Sequence, residues 1–74
     1  MPNLRELLNE IKWTKQLALV EIWYVHRGAP KDTMIITGSD IVAIERSFLQ
    51  TSTASIPFHR IFKIVYDGKV IFER

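Results

Sequence analysis

The dipeptides His26-Arg27 and His59-Arg60 hold both histidines of the 74-residue chain, each imidazole beside a guanidinium. A guanidinium offers a planar fork of donors that matches a phosphate, and an imidazole can donate, accept or relay a proton. The pairing suits a phosphate better than a metal, because the adjacent arginine repels a cation. The second pair lies in Ile56-Pro57-Phe58-His59-Arg60-Ile61, where proline fixes its own φ and biases Ile56 towards extended backbone. That segment is expected to be a rigid corner that presents His59 and Arg60 at the start of a strand.

Other chemistries fit less well. Two histidines without cysteine or His-x-x-x-His spacing make no metal site. Isolated glycines at 28, 38 and 68 form neither a dinucleotide fingerprint nor a P-loop. Ser55 lies four residues before His59, but in a Ser/Thr-rich stretch that spacing is unremarkable for a nucleophile and its base. His26 and His59 acting together as acid and base on a phosphodiester is the more interesting catalytic arrangement. The plain alternative makes His59 a hydrogen-bonded pin of the Pro57 corner and Arg60 a solvated charge pairing with Asp40 or Glu73. Trp13 and Trp23 read first as core or sheet-face residues and second as base-stacking platforms.

These residues need a scaffold, and a chain this short makes one domain, 1–74, burying only about 60% of its extended surface. An apolar fraction of 47% with 24% charged residues matches a folded globule. Absent cysteines leave no disulfide or thiolate zinc support, which fits a cytoplasmic location. No apolar stretch approaches the roughly 20 residues of a membrane span, and the N-terminus lacks a signal pattern. Net charge is +2, with five basic and four acidic residues in each half of the chain. Such balance argues against a broad nucleic-acid coat, so any anion contact must come from a few placed residues.

Leu4, Leu7, Leu8 and Ile11 at i, i+3, i+4 and i+7 predict a helix over about 4–12, with Asn3 as cap and Glu6 three residues on. Alternation from Leu17 to His26 predicts a long strand, followed by a Gly/Pro loop at 27–32 and a second strand over 33–37. Gly38-Ser39-Asp40 is a turn or one short helical turn. Ile41 to Leu49 is strand-like with a bend at Ser47, and 51–55 is a flexible loop. Runs 61–66 and 69–73 flank Asp67-Gly68, a strong hairpin signal. The sum is an α+β domain: an N-terminal helix packed on a curled, mainly antiparallel sheet of about five strands, ending in a C-terminal hairpin.

The segment from Ile56 to Ile61, followed by Asp67-Gly68-Lys69-Val70-Ile71-Phe72-Glu73-Arg74, resembles the RNA cyclic-group end-recognition domain family. The likeness runs from Ile11-Lys12-Trp13 through Arg27 and Asp40-Ile41 to Arg74. The family comprises small, mostly archaeal, long uncharacterised proteins and C-terminal domains of eukaryotic proteins carrying RNA-processing modules. Two positions depart from its pattern: His26, where some members are acidic, and Phe72, where tryptophan is usual.

The resemblance implies recognition of RNA 3′ ends such as a 2′,3′-cyclic phosphate, with RNA-processing enzymes as possible partners, and the residues themselves call for no cofactor or metal. A cyclic phosphate is a singly charged diester whose ribose oxygens donate nothing, so a selective site uses donors only. The expected site comprises Arg60 as a bidentate contact, Arg27 as a second cation, His59 as a hydrogen-bond donor, and Trp13 or Tyr66 as a stacking surface. His26 and Arg74 complete the candidate set. The leading expectation is a non-catalytic RNA-binding module. Its rivals are a phosphodiesterase with His26 and His59 as acid and base, and a protein-interaction domain whose His-Arg pairs are structural.

Overall fold

The computed structural model describes residues 3–14 and 16–74. Helix α1 (Leu4–Thr14) precedes strands β1 (Val20–Val25), β2 (Thr33–Thr37), β3 (Ile41–Ile44), β4 (Phe48–Thr51), β5 (Ser55–Pro57), β6 (Ile61–Tyr66) and β7 (Lys69–Glu73). The strands form two antiparallel sheets, ordered β2-β1-β6-β7 and β3-β4-β5, that do not close into a barrel. The α+β class and the closing hairpin are as the sequence predicts.

Asn3 Oδ1 accepts the Glu6 backbone N–H at 2.8 Å and starts α1. Leu4, Leu8 and Ile11 are buried along the predicted stripe, with Leu7 packed at its margin. The helix continues two residues beyond the predicted end. Trp13, off that stripe, is 82% exposed.

Strand β1 is shorter than predicted, because Leu17–Leu19 form a 3-10 turn before it. Its alternation buries Val20, Ile22 and Tyr24 and turns Glu21, Trp23 and Val25 to the other face. The buried set meets the helix stripe, Leu49 and Ile56 of the small sheet, and Ile61 and Ile64 of β6. On the outer face, Lys63 Nζ sits 4.4 Å from the Trp23 ring centroid. Trp23 is thus a sheet-face residue covered by a cation.

The structure revises the predicted strand 41–49. Glu45 N–H donates to the Phe48 carbonyl at 2.9 Å, closing a turn that splits the run into the antiparallel pair β3 and β4. The Pro57 corner is itself a short strand, β5, paired to β4. These two changes raise the strand count from about five to seven and divide one curled sheet into two. The stretch 51–55, read as a flexible loop, is a turn organised by the buried Thr51. Its hydroxyl donates to the Ala54 carbonyl at 2.9 Å and accepts the Ala54 N–H at 3.0 Å. At the last hairpin Asp67 and Gly68 have φ of 49° and 81°, both positive, as a type I′ turn requires.

Candidate functional site at one end of the large sheet

The β1–β6 register sets Tyr24 opposite Ile61, with a bulge between Trp23 and Tyr24. Because the strands are antiparallel, the chain leaves β1 at His26 on the same end where it enters β6 from Arg60. Val25 pairs with Thr33, so the 26–32 loop also lies there. Lys63 pairs with Glu73, so β7 delivers Arg74 to that end as well. Pairing alone therefore gathers His26, Arg27, Lys31, His59, Arg60 and Arg74, with Asp32 and Glu73 as the acidic residues among them. The opposite end carries Asp40 and the Asp67-Gly68 turn, with Lys69 beside it. A balanced composition conceals this end-to-end polarity.

The His59-Arg60 turn is held from two sides. Pro57, at φ −59°, caps a 3-10 turn spanning Phe58–Arg60. The Phe58 N–H donates to the Ser47 carbonyl at 3.0 Å. The Phe58 carbonyl accepts Arg74 Nη2 at 3.0 Å, and Arg74 N–H donates to the Phe62 carbonyl at 3.0 Å. The Arg74 guanidinium lies 5.4 Å from the Phe72 ring centroid. His59 and Arg60 are exposed on this braced turn.

The neighbouring loop is equally fixed. His26 N–H donates to the Asp32 carbonyl at 2.8 Å, Asp32 N–H to the Ala29 carbonyl at 2.8 Å, and Ala29 N–H to the His26 carbonyl at 3.2 Å. Lys31 and Asp32 both adopt left-handed backbone, φ 56° and 54°, which L-residues rarely do in succession. Arg27 is exposed at its tip. His26 is also exposed, its ring edge-on to Tyr24 at 6.2 Å between centroids.

Among the described residues, Arg27, Arg46 and Arg60 form no ion pair, and neither imidazole has a hydrogen-bond partner. The alternative pairing of Arg60 with Asp40 or Glu73 is not formed. Nor is His59 a hydrogen-bonded pin, since backbone contacts hold the corner. Ser55 Oγ donates its proton to Gln50 Oε1 at 2.6 Å and not to His59, so no nucleophile-base hydrogen bond is formed. No three His, Cys, Asp or Glu side chains among the described residues could hold a metal.

The two proposed stacking residues lie elsewhere. Tyr66 ends β6 at the far side from Ile61, five strand rises or roughly 16 Å away. Its hydroxyl accepts the Gln16 N–H at 3.5 Å, which places the C-terminal end of α1 at that side too. A base on Trp13 or Tyr66 would belong to a different nucleotide from a phosphate on Arg60.

Sequence reasoning missed Lys31, Ser47 and Phe48. Ser47, Phe48, Ser55, Pro57 and His59 line an open cavity of about 430 Å³ beside the braced turn. Only the β4–β5 pairing, Phe48 opposite Pro57, brings these residues together, and no local pattern signals it.

The fold and this sheet end define a small two-sheet α+β module that exposes both His-Arg pairs on turns at one end. The chain belongs to the MJ1316 RNA cyclic group end recognition domain family, which it matches over residues 1–74. A UPF0248 protein of Methanococcus maripaludis strain C5 is 37% identical, covering 96% of this chain and 97% of its own. One from strain S2 of the same species is 39% identical with the same coverage. A UPF0248 protein of Methanopyrus kandleri is 36% identical over 72% of each chain. No solved structure is significantly similar.

Proposed function

We propose that the basic sheet end binds processed RNA 3′ ends, in particular a 2′,3′-cyclic phosphate, and releases them unchanged. The observation that carries this reading is the antiparallel β1–β6 register, which delivers both His-Arg pairs to one end of the sheet. Arg60 supplies the bidentate fork, Arg27 a second charge, and His59 a single hydrogen bond. All three are exposed, and among the described residues none has a side-chain hydrogen bond or ion pair. The family's description, RNA cyclic group end recognition, names the same class of ligand.

We favour binding over hydrolysis because, among the described residues, neither imidazole is oriented by a carboxylate or carbonyl as an acid-base pair would be. We further propose that the domain works in the cytoplasm, passing RNA ends to or from processing enzymes. No helix among the described residues is long and apolar enough to cross a membrane.

The test is a titration of one short RNA ending in 2′,3′-cyclic phosphate, 3′-phosphate or 3′-hydroxyl, at fixed near-physiological salt, with the recovered RNA examined for conversion. Preference for the cyclic end with intact recovery is expected. Conversion would make the domain a phosphodiesterase through His26 and His59. Binding of no form would leave a protein-interaction domain with structural His-Arg pairs.

A further inference from the structure

We propose that the cavity beside His59 holds the terminal base, so that the domain reads the last nucleoside as a unit and not its phosphate alone. This rests on the reading above, in which Arg60 and Arg27 take the terminal phosphate.

The cavity has the composition a base needs. Its volume, about 430 Å³, lies in the range of about 300–1,000 Å³ typical of small-ligand clefts. Phe48 and Pro57 face each other across the β4–β5 pair, both half-buried, and form a continuous apolar wall. A base has an apolar face on either side and stacks on an aromatic ring whatever its identity. The rim is polar: the hydroxyls of Ser47 and Ser55 and the imidazole of His59. Ser55 Oγ has committed its proton to Gln50 Oε1, so towards the cavity it acts only as an acceptor, suited to an N–H on a base edge.

Covalent adjacency supplies the rest of the argument. His59 lines the cavity and Arg60 is the next residue on the same 3-10 turn. In a terminal nucleotide the base and the cyclic phosphate are likewise separated by one ribose. The turn cannot easily drift from the cavity, since Phe58 is bonded to Ser47, a cavity residue, on one side and to Arg74 on the other. Base and phosphate subsites are therefore held in fixed relation. Ligands that present both should gain from that preorganisation.

The probes are adenosine 2′,3′-cyclic monophosphate and methyl riboside 2,3-cyclic phosphate, which differ only in the base. Each is titrated against the wild-type chain, Ser47→Trp and Arg60→Ser, with folding of each variant checked by circular dichroism. Ser47 is exposed, and only its backbone carbonyl serves the fold, so the tryptophan fills the cavity without entering the core.

The wild type should bind the adenosine compound about tenfold or more tightly than the riboside, the scale of one base stack. Ser47→Trp should erase that difference while leaving riboside affinity unchanged, and Arg60→Ser should weaken both probes alike. Phe48→Leu, which keeps the apolar contact and loses the ring, should reduce the difference severalfold. Equal wild-type affinity for the two probes, or a preference that survives Ser47→Trp, would overturn the base pocket while the phosphate site stands. Binding of neither probe would overturn both.

Discussion

Arg74 reaches back to the Phe58 carbonyl with Nη2 at 3.0 Å, joining the end of β7 to the turn that carries His59 and Arg60. Its backbone N–H is bonded to Phe62, on the other side of that turn. Arg74 therefore spans the 58–62 segment from one strand. In the proposed site this bracing would let Arg74 position Arg60, a role distinct from a direct phosphate contact.

Arg74→Lys keeps the charge and loses the planar fork, so it should weaken binding of cyclic-phosphate RNA severalfold through Arg60. An exposed side chain-to-backbone bond of this kind is worth at most about 1 kcal/mol, so thermal unfolding should shift little. A binding loss matched by a large drop in Tm would instead make Arg74 a stability element.

His59→Ala and Arg60→Lys separate structure from recognition. Pro57, Ser47 and Arg74 hold the turn through backbone atoms, and the His59 imidazole has no partner among the described residues. His59→Ala should thus remain within about 0.5 kcal/mol of wild-type stability, as exposed substitutions usually do. RNA affinity should nevertheless fall. Arg60→Lys should reduce preference for the cyclic end by about tenfold, since a lysine cannot make the bidentate contact. Calorimetric unfolding beside the three-RNA titration checks both.

Much of the scaffold was legible because it follows local periodicity. Leu4, Leu8 and Ile11 fall on one helical stripe, Val20, Ile22 and Tyr24 alternate along β1, and Asp67-Gly68 permits a turn with two positive φ values. The β3–β4 division was legible only as a bend at Ser47 and not as a full reversal, because Glu45-Arg46-Ser47 carries no glycine or proline and β4 is held by pairing with the distant Pro57 strand. Of the site, the His-Arg chemistry could be read from residue types, but its assembly depends on strand register. Lys31 contributes charge only because a left-handed loop returns it to the sheet end. Phe48 becomes a cavity wall only through its partner across β5.

Salt dependence offers a count of the cations involved. Single-stranded nucleic acid loses affinity with a log-log salt slope of about −0.7 for each phosphate neutralised. Arg27→Gln removes one exposed cation at the sheet end and touches no bond of the loop, which is closed by the backbone of His26, Ala29 and Asp32. The slope for RNA binding should become shallower by about 0.7, with Tm unchanged. An unaltered slope would remove Arg27 from the site.

Gly38 tests the scaffold away from the site. It is buried, and a Cβ there would lie 2.5 Å from the Leu17 carbonyl oxygen and 2.9 Å from Val20 Cβ. Neither can yield without moving the start of β1. Gly38→Ala should therefore destabilise the domain by about 1–3 kcal/mol, the usual range for overpacking. The affinity of the folded fraction for RNA should stay at the wild-type value, because Gly38 lies at the opposite end of the sheet. Chemical denaturation combined with binding at low temperature distinguishes the two effects.

Lys31 and Asp32 place two successive non-glycine residues in the left-handed region, where each costs on the order of 1–2 kcal/mol. Such backbone persists only where surrounding contacts enforce it, and here the bonds between His26, Ala29 and Asp32 do so. Lys31→Gly removes the Cβ clash, offset in part by the greater freedom of glycine in the unfolded chain, for a net gain of about 0.5–1 kcal/mol. It also deletes a cation from the sheet end, so RNA binding should weaken as stability rises. Lys31→Asn, which tolerates left-handed backbone, should show the same opposed changes with a smaller gain in stability. Opposite movement of Tm and affinity is the signature of strain held at a binding loop. A fall in both would instead show that the lysine side chain supports the loop it belongs to.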